Sequence, residues 1–144
     1  MSEKIADYLA SIIRDGYSKQ ALDGVLKLIE ENNISVSRKA YLGLKHGDVG
    51  AAQKILKSIQ SCACKNVNDE AEFEDIDAYK ACSSNVDSSL ANGLLKRIDK
   101  PAWVQSDPQS INPTAYYECQ KCSLIWELSA PERGNKGSWK IAGN

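Results

Sequence analysis

Apolar residues recur at intervals of three and four through the first 60 residues of the chain. This spacing places them along one side of an α-helix and predicts four short amphipathic helices. Ser18, Ser35 or Ser37, and Asp48 precede three of the apolar stripes at positions suited to a helix N-cap. Because only short breaks separate the stripes, we expect a small bundle in which consecutive helices run antiparallel.

Further along, the same period predicts two more helices, from about residue 69 to 84 and from residue 86 to 98. Near the C-terminus the apolar residues instead recur at every second position. Leu124, Trp126 and Leu128 share one side of an extended segment, which is typical of a β-strand. The pattern predicts an α+β fold, in which the N-terminal bundle of short helices precedes a small three-stranded antiparallel sheet formed by residues 115–120, 123–129 and 137–142.

At 144 residues the chain is long enough to bury one core without help from oligomerisation. We divide it into a helical bundle (1–61), a Cys-x-Cys segment with further helices (62–100), and a loop followed by the β hairpin (101–144). The segment from 102 to 114 is rich in Pro, Asn and Ser and is predicted to be an ordered loop. We expect the three parts to pack as a single domain.

Four of the five cysteines fall in two pairs, Cys62 with Cys64 and Cys119 with Cys122. The second pair lies in a turn between predicted strands and resembles a zinc knuckle, in which two thiolates occupy two corners of a tetrahedral site. The first pair would supply the other two corners and tie the end of the bundle to the hairpin. Reduced thiols without a metal are the alternative, and Cys82 is either a small core residue or a substitute ligand. A dithiol redox pair is disfavoured because strand-like residues follow Cys122.

The formal net charge is only −1, but the charges are unevenly distributed. Residues 65–99 contain eight acidic and four basic residues. Such a run is commonly a solvated surface, but it could also dock onto a basic partner, such as the active-site cleft of a nuclease, where carboxylates stand in for phosphates. Six of the carboxylates are candidates for partner binding: Asp69, Glu70, Glu72, Glu74, Asp75 and Asp77.

The sequence contains no Gly-rich phosphate loop, no His-Glu-x-x-His and a single histidine. A zinc ion held by four cysteines would have a closed coordination shell, so we expect a protein without enzymatic activity. The N-terminus lacks the apolar run of a signal peptide, and no segment approaches the length of a membrane span. We therefore expect a cytoplasmic protein with reduced cysteines and no membrane partner.

Several short segments together resemble small bacterial immunity proteins, which are encoded beside contact-dependent inhibition systems or other polymorphic toxins. The segments are Ser-Val-Ser-Arg-Lys-Ala-Tyr-Leu (35–42), His-Gly-Asp (46–48), Tyr-Glu-Cys-Gln-Lys-Cys (117–122), Trp-Glu-Leu (126–128), Pro-Glu (131–132) and Gly-Ser-Trp (137–139). The resemblance implies a non-enzymatic inhibitor that binds and neutralises a cognate toxin domain, for example a nuclease. It implies no residue-level site beyond the candidate zinc knuckle.

Zinc ribbons often bind nucleic acid, so the alternative function is a zinc-ribbon-type nucleic-acid-binding or regulatory protein. Around the Cys-x-x-Cys turn, however, the basic residues are offset by nearby glutamates and form no basic stripe. Nucleic acid is therefore the less favoured partner.

Overall fold

The computed structural model describes residues 2–59, 62–104, 113–132 and 136–142. These residues form five α-helices, a 3-10 helix at Ala63–Asn66 and five β-strands. The helices are α1 (Ser2–Asp15), α2 (Lys19–Glu31), α3 (Arg38–Lys45), α4 (Val49–Ile59) and α5 (Ile76–Ala91). The strands are β1 (Ala71–Glu72), β2 (Leu95–Ile98), β3 (Thr114–Cys119), β4 (Ile125–Ser129) and β5 (Ser138–Ile141). None of these helices has the length and apolar character needed to cross a lipid bilayer.

The chain divides into two compact units, and one of them contains α1–α4. The predicted N-caps are confirmed. Ser18 and Ser37 accept hydrogen bonds of 3.1 Å from the third residue beyond each, and Asp48 accepts one of 2.9 Å from the N–H of Gly50. Helix α1 packs against α2 and α4, and α3 packs against α4. The buried stripes of the four helices supply the core of this unit: Ile5, Leu9, Ile12, Ile13, Ala21, Val25, Ile29, Ala40, Leu44, Val49, Ala52, Ile55 and Leu56.

The other unit contains the 3-10 helix, α5 and a five-stranded antiparallel sheet in the order β1-β5-β4-β3-β2. Trp126 of β4 lies opposite Ile141 of β5, and Leu128 lies opposite Trp139. The two indole rings therefore share one face of the sheet and stack, with centroids 5.2 Å apart and planes 4° from parallel. Both indole N–H groups are buried without a hydrogen-bond partner in the described part of the chain. The sheet core is thus built around an apolar aromatic pair.

The opposite face of the sheet carries a polar row. Tyr116 of β3, Glu127 of β4 and Lys140 of β5 form one row across the three central strands, because each lies opposite the next. Lys140 Nζ is 3.5 Å from Glu127 Oε1, and the Glu127 side chain is only 12% exposed. Burial raises the pKa of Glu127, and the neighbouring Lys140 opposes that shift.

The α+β prediction is confirmed, but the number of strands is wrong, and a single helix, α5, stands where two helices were predicted at 69–84 and 86–98. Instead of a helix from about residue 69, the chain forms β1 and then starts α5 at Ile76, because the Asp75 side chain caps that helix by accepting a 2.8 Å hydrogen bond from Ala78 N–H. The helix predicted from 86 to 98 does not form separately. α5 continues past residue 86 and stops at Ala91, and Gly93 then takes a left-handed φ of +83°. Residues 95–98 then pair with β3 as a strand.

The predicted loop at 102–114 is described only at its two ends, and residues 105–112 lie outside the described part of the chain. The predicted boundaries at residues 61 and 100, and the packing of the three parts as one domain, stay predictions.

Candidate metal centre

Four cysteine sulfur atoms converge in the structure. The Sγ atoms of Cys62, Cys64, Cys119 and Cys122 all lie within 4.8 Å of one another. The predicted combination of the Cys-x-Cys and Cys-x-x-Cys pairs is thus close enough to hold a metal ion. Cys82 lies in α5, outside this group.

Local structure places each pair of thiols. Cys62 has an extended backbone, with φ −123° and ψ 146°, immediately before the 3-10 helix, and Cys64 lies inside that helix. Cys119 is the last residue of β3, where the N–H of Gln120 donates a 2.8 Å hydrogen bond to the carbonyl of Leu94 and so continues the pairing with β2. Regular pairing therefore fixes the backbone up to the first thiol of the Cys-x-x-Cys turn.

The turn itself carries strain. Ser123, directly after Cys122, has a φ of +71°, a left-handed conformation that non-glycine residues seldom adopt. A side chain in this conformation costs on the order of 1 kcal/mol. Ser123 therefore ends, at some cost in backbone strain, the turn that contains Cys119 and Cys122.

The distances fit a tetrahedral tetrathiolate site. Zn–S bonds of about 2.3 Å at tetrahedral angles place neighbouring sulfur atoms about 3.8 Å apart. Cys62 Sγ and Cys119 Sγ are 3.6 Å apart, close to that value. Small side-chain rotations would bring the widest pairs, at up to 4.8 Å, to the same separation.

Burial distinguishes one thiol from the other three. Cys64, Cys119 and Cys122 are 0%, 1% and 7% exposed, whereas Cys62 is half-buried. Four thiolates around a divalent cation carry a net charge of −2, so nearby positive charge favours the site. Lys65 follows Cys64 and Lys121 precedes Cys122, so each pair of cysteines has a positively charged neighbour in the chain.

Cys82 has a different environment from the cluster. It is 4% exposed, and burial raises the pKa of its thiol to about 12. A thiol in this state stays protonated at neutral pH and is a poor metal ligand, because the thiolate is the ligating form. Its position agrees with a small core residue.

The six candidate partner-binding carboxylates lie between the cysteine segment and the first turn of α5. All are exposed except Glu70, which is half-buried. Two of them have structural contacts that sequence reasoning missed: Asp75 caps α5, and Glu70 accepts a hydrogen bond from the N–H of Ile141. Ile76, which is 51% exposed, lies among them.

Comparison of the chain with protein-family models, with curated proteins and with solved structures gives no match.

Proposed function

We propose that this protein binds one zinc ion through Cys62, Cys64, Cys119 and Cys122, and that the ion stabilises the fold. The observation that carries this proposal is the convergence of four sulfur atoms from two segments far apart in the chain. Tetrahedral sets of four thiolates select zinc or iron–sulfur chemistry. Zinc held by four cysteines has no open position for water or substrate, so the ion would act on stability and not on a reaction.

Elemental mass spectrometry on the untagged protein tests this proposal. We expect about one zinc ion per chain in the wild type and in Cys82→Ala, and a large loss of zinc in Cys119→Ser and Cys64→Ser. Cys82→Ala is the matched control, since it removes a buried thiol outside the cluster. A wild-type protein without any metal would rule the proposal out, and iron in place of zinc would change the identity of the ion.

We propose further that the protein is a non-enzymatic immunity protein, which binds and neutralises a cognate bacterial toxin domain such as a nuclease. The resemblance to immunity proteins suggests this role. The closed coordination of the proposed zinc site and the exposed carboxylates between residues 69 and 77 support a binding role.

The expected contact surface is the acidic segment, defined as residues 69–77. Ile76, at the first position of α5, is flanked by Asp75 and Asp77 and is half exposed to solvent. An exposed apolar side chain flanked by charged residues is the arrangement of a protein interface, in which a polar rim encloses an apolar centre. The partner that fits this surface is a basic protein face with an apolar recess for Ile76.

Co-expression in bacteria with the toxin domain encoded beside its own gene tests the binding role. We expect the chain to restore growth and to co-elute with the toxin domain as a complex. If the chain neither restores growth nor co-elutes with the toxin domain, the immunity proposal is contradicted. Salt-sensitive retention on DNA or RNA, with no toxin binding, would instead favour the zinc-ribbon nucleic-acid-binding alternative.

A further inference from the structure

Cys62 differs from the other three cysteines of the proposed zinc site in its access to solvent. It is the one of the four that is not buried. Its sulfur is 3.6 Å from that of Cys119, which is 1% exposed. An accessible thiol beside a protected one is the arrangement in which a first cysteine is oxidised and a second cysteine resolves the product.

We infer that Cys62 is a site of peroxide oxidation, and that the reaction joins Cys62 to Cys119 in a disulfide and releases the metal ion. The inference rests on the proposed zinc site, and hydrogen peroxide is the oxidant. Peroxide reaches Cys62 first because this residue is only half-buried, whereas Cys64, Cys119 and Cys122 are buried.

The chemistry balances in two steps. The Cys62 thiolate attacks one peroxide oxygen, the O–O bond breaks, and a sulfenic acid forms as one proton is taken up and one water leaves. The Cys119 thiolate then attacks the Cys62 sulfur, and the hydroxyl group leaves as a second water after it takes up a proton. Two thiolates, one peroxide and two protons thus give one disulfide and two waters. Zinc loses two of its four ligands and dissociates.

The geometry suits this product. A disulfide has an S–S length of about 2.05 Å, so the two sulfur atoms must approach by roughly 1.5 Å from their 3.6 Å separation. The Cys62 side chain makes no capping hydrogen bond to the 3-10 helix that follows it, so no such bond opposes its rotation. The disulfide would keep the Cys62 segment attached to the end of β3 after the ion has left.

Peroxide treatment of the zinc-loaded full chain tests the inference. A chromogenic zinc chelator follows release of the ion, and peptide mapping after alkylation identifies the cysteines that have paired. We expect about one zinc ion per chain to be released and Cys62 to be linked to Cys119. Dimedone added with the peroxide should label Cys62, which tests the first step without any substitution. Cys82→Ala is the control and should behave as the wild type.

The outcomes separate the two proposals. If zinc is bound but stays bound in excess peroxide, or if the disulfide joins Cys62 to Cys64 or Cys119 to Cys122, the oxidation inference is overturned while the zinc site stands. Absence of zinc before peroxide is added overturns both. Return of zinc binding after treatment with a dithiol reductant would support a reversible disulfide.

Discussion

Glu70 Oε1 accepts a 3.0 Å hydrogen bond from the backbone N–H of Ile141. β1 pairs with β5 through Ala71 and Glu72, and Glu70 directly precedes this short strand, so its carboxylate satisfies a donor of β5 beyond the N-terminal end of β1. A side chain thus extends the pairing of a two-residue strand and covers part of the sheet edge.

Replacing Glu70 should therefore destabilise the sheet. We expect Glu70→Ala to lower the free energy of unfolding by about 1–3 kcal/mol, because a main-chain donor loses a charged acceptor. Glu70→Gln keeps an acceptor oxygen and should lower it less. Glu74→Ala, at an exposed position in the same segment, is the control and should change it by no more than about 0.5 kcal/mol. Urea denaturation measures all three, and equal losses for Glu70→Ala and Glu74→Ala would contradict the role of Glu70.

Gly137 and Gly93 form a matched pair for a second prediction. Both have left-handed φ angles, +76° and +83°. A Cβ atom on Gly137 would overlap the carbonyl oxygen of Ser129, whereas one on Gly93 would meet no atom within 4 Å. Gly93→Ala should cost about 1 kcal/mol of backbone strain, and Gly137→Ala about 1–3 kcal/mol more from the overlap. The same denaturation measurement decides this, and the prediction fails if the two variants are equally stable.

Glu127 should make stability depend on pH. Burial disfavours its charged form and raises its pKa in the folded state, although Lys140 opposes the shift. A raised carboxyl pKa gives a stability contribution that is full below the unfolded-state pKa of about 4.3 and is lost as pH rises through the folded-state value. Glu127→Gln removes this titration. The stability of Glu127→Gln relative to wild type should thus increase between pH 4 and pH 7, and a flat difference would show that Lys140 compensates fully.

Metal removal gives a fourth prediction. Chelation of the wild type by EDTA should lower its Tm by at least about 10 °C, because loss of a structural zinc ion costs several kcal/mol. Cys64→Ser should already have the lower Tm and should respond little to EDTA. Cys82→Ala should keep the response of the wild type, since Cys82 lies outside the cluster. Differential scanning calorimetry with and without EDTA measures these shifts.

The acidic segment gives a fifth prediction, which depends on the toxin partner. Neutralising Glu72, Glu74 and Asp77 together should slow association with the toxin domain about tenfold at low salt and flatten its salt dependence. Asp75 is left unchanged because it caps α5. A charge-matched control replaces the exposed Asp7, Asp15 and Asp23 with Asn. Stopped-flow kinetics would show equal rates for both triple variants if the segment is not the contact surface.

The Ile76→Ala variant is measured in the same kinetic experiment. It should change the rate of dissociation from the toxin domain, not the rate of association. Loss of an apolar anchor should speed dissociation and leave the association rate nearly unchanged. Leu42→Ala is a suitable control, because Leu42 is also exposed, at 42%, but lies on α3. If the two variants dissociate at the same rate, Ile76 is not an anchor.

The sequence predicted those features that depend on neighbouring residues. Ser18, Ser37 and Asp48 begin helices because a side-chain oxygen reaches a nearby N–H, and this chemistry is local. The convergence of two cysteine pairs was also predictable, since each pair has a spacing typical of metal ligands. The burial that makes Cys62 differ from its three partners depends on the folded chain and is not visible in the spacing.

Strands β1 and β2 show where local reasoning fails. Leu90, Leu94, Leu95 and Ile98 fit a helical stripe, but Asn92 ends α5, and residues 95–98 become extended because they pair with β3. β1 has two residues, too few for a periodic signal, and exists because β5 lies beside it. Pairing with distant residues overrides local preference in both strands.

The separation of the two cysteine pairs along the chain has a consequence during synthesis. Cys62 and Cys64 are synthesised about 3–12 s before Cys119 and Cys122 at ordinary translation rates. During that interval the nascent chain carries two thiols without their partners. The full donor set exists only once the turn after β3 has been synthesised, so a chain that terminates before Cys119 could never assemble it.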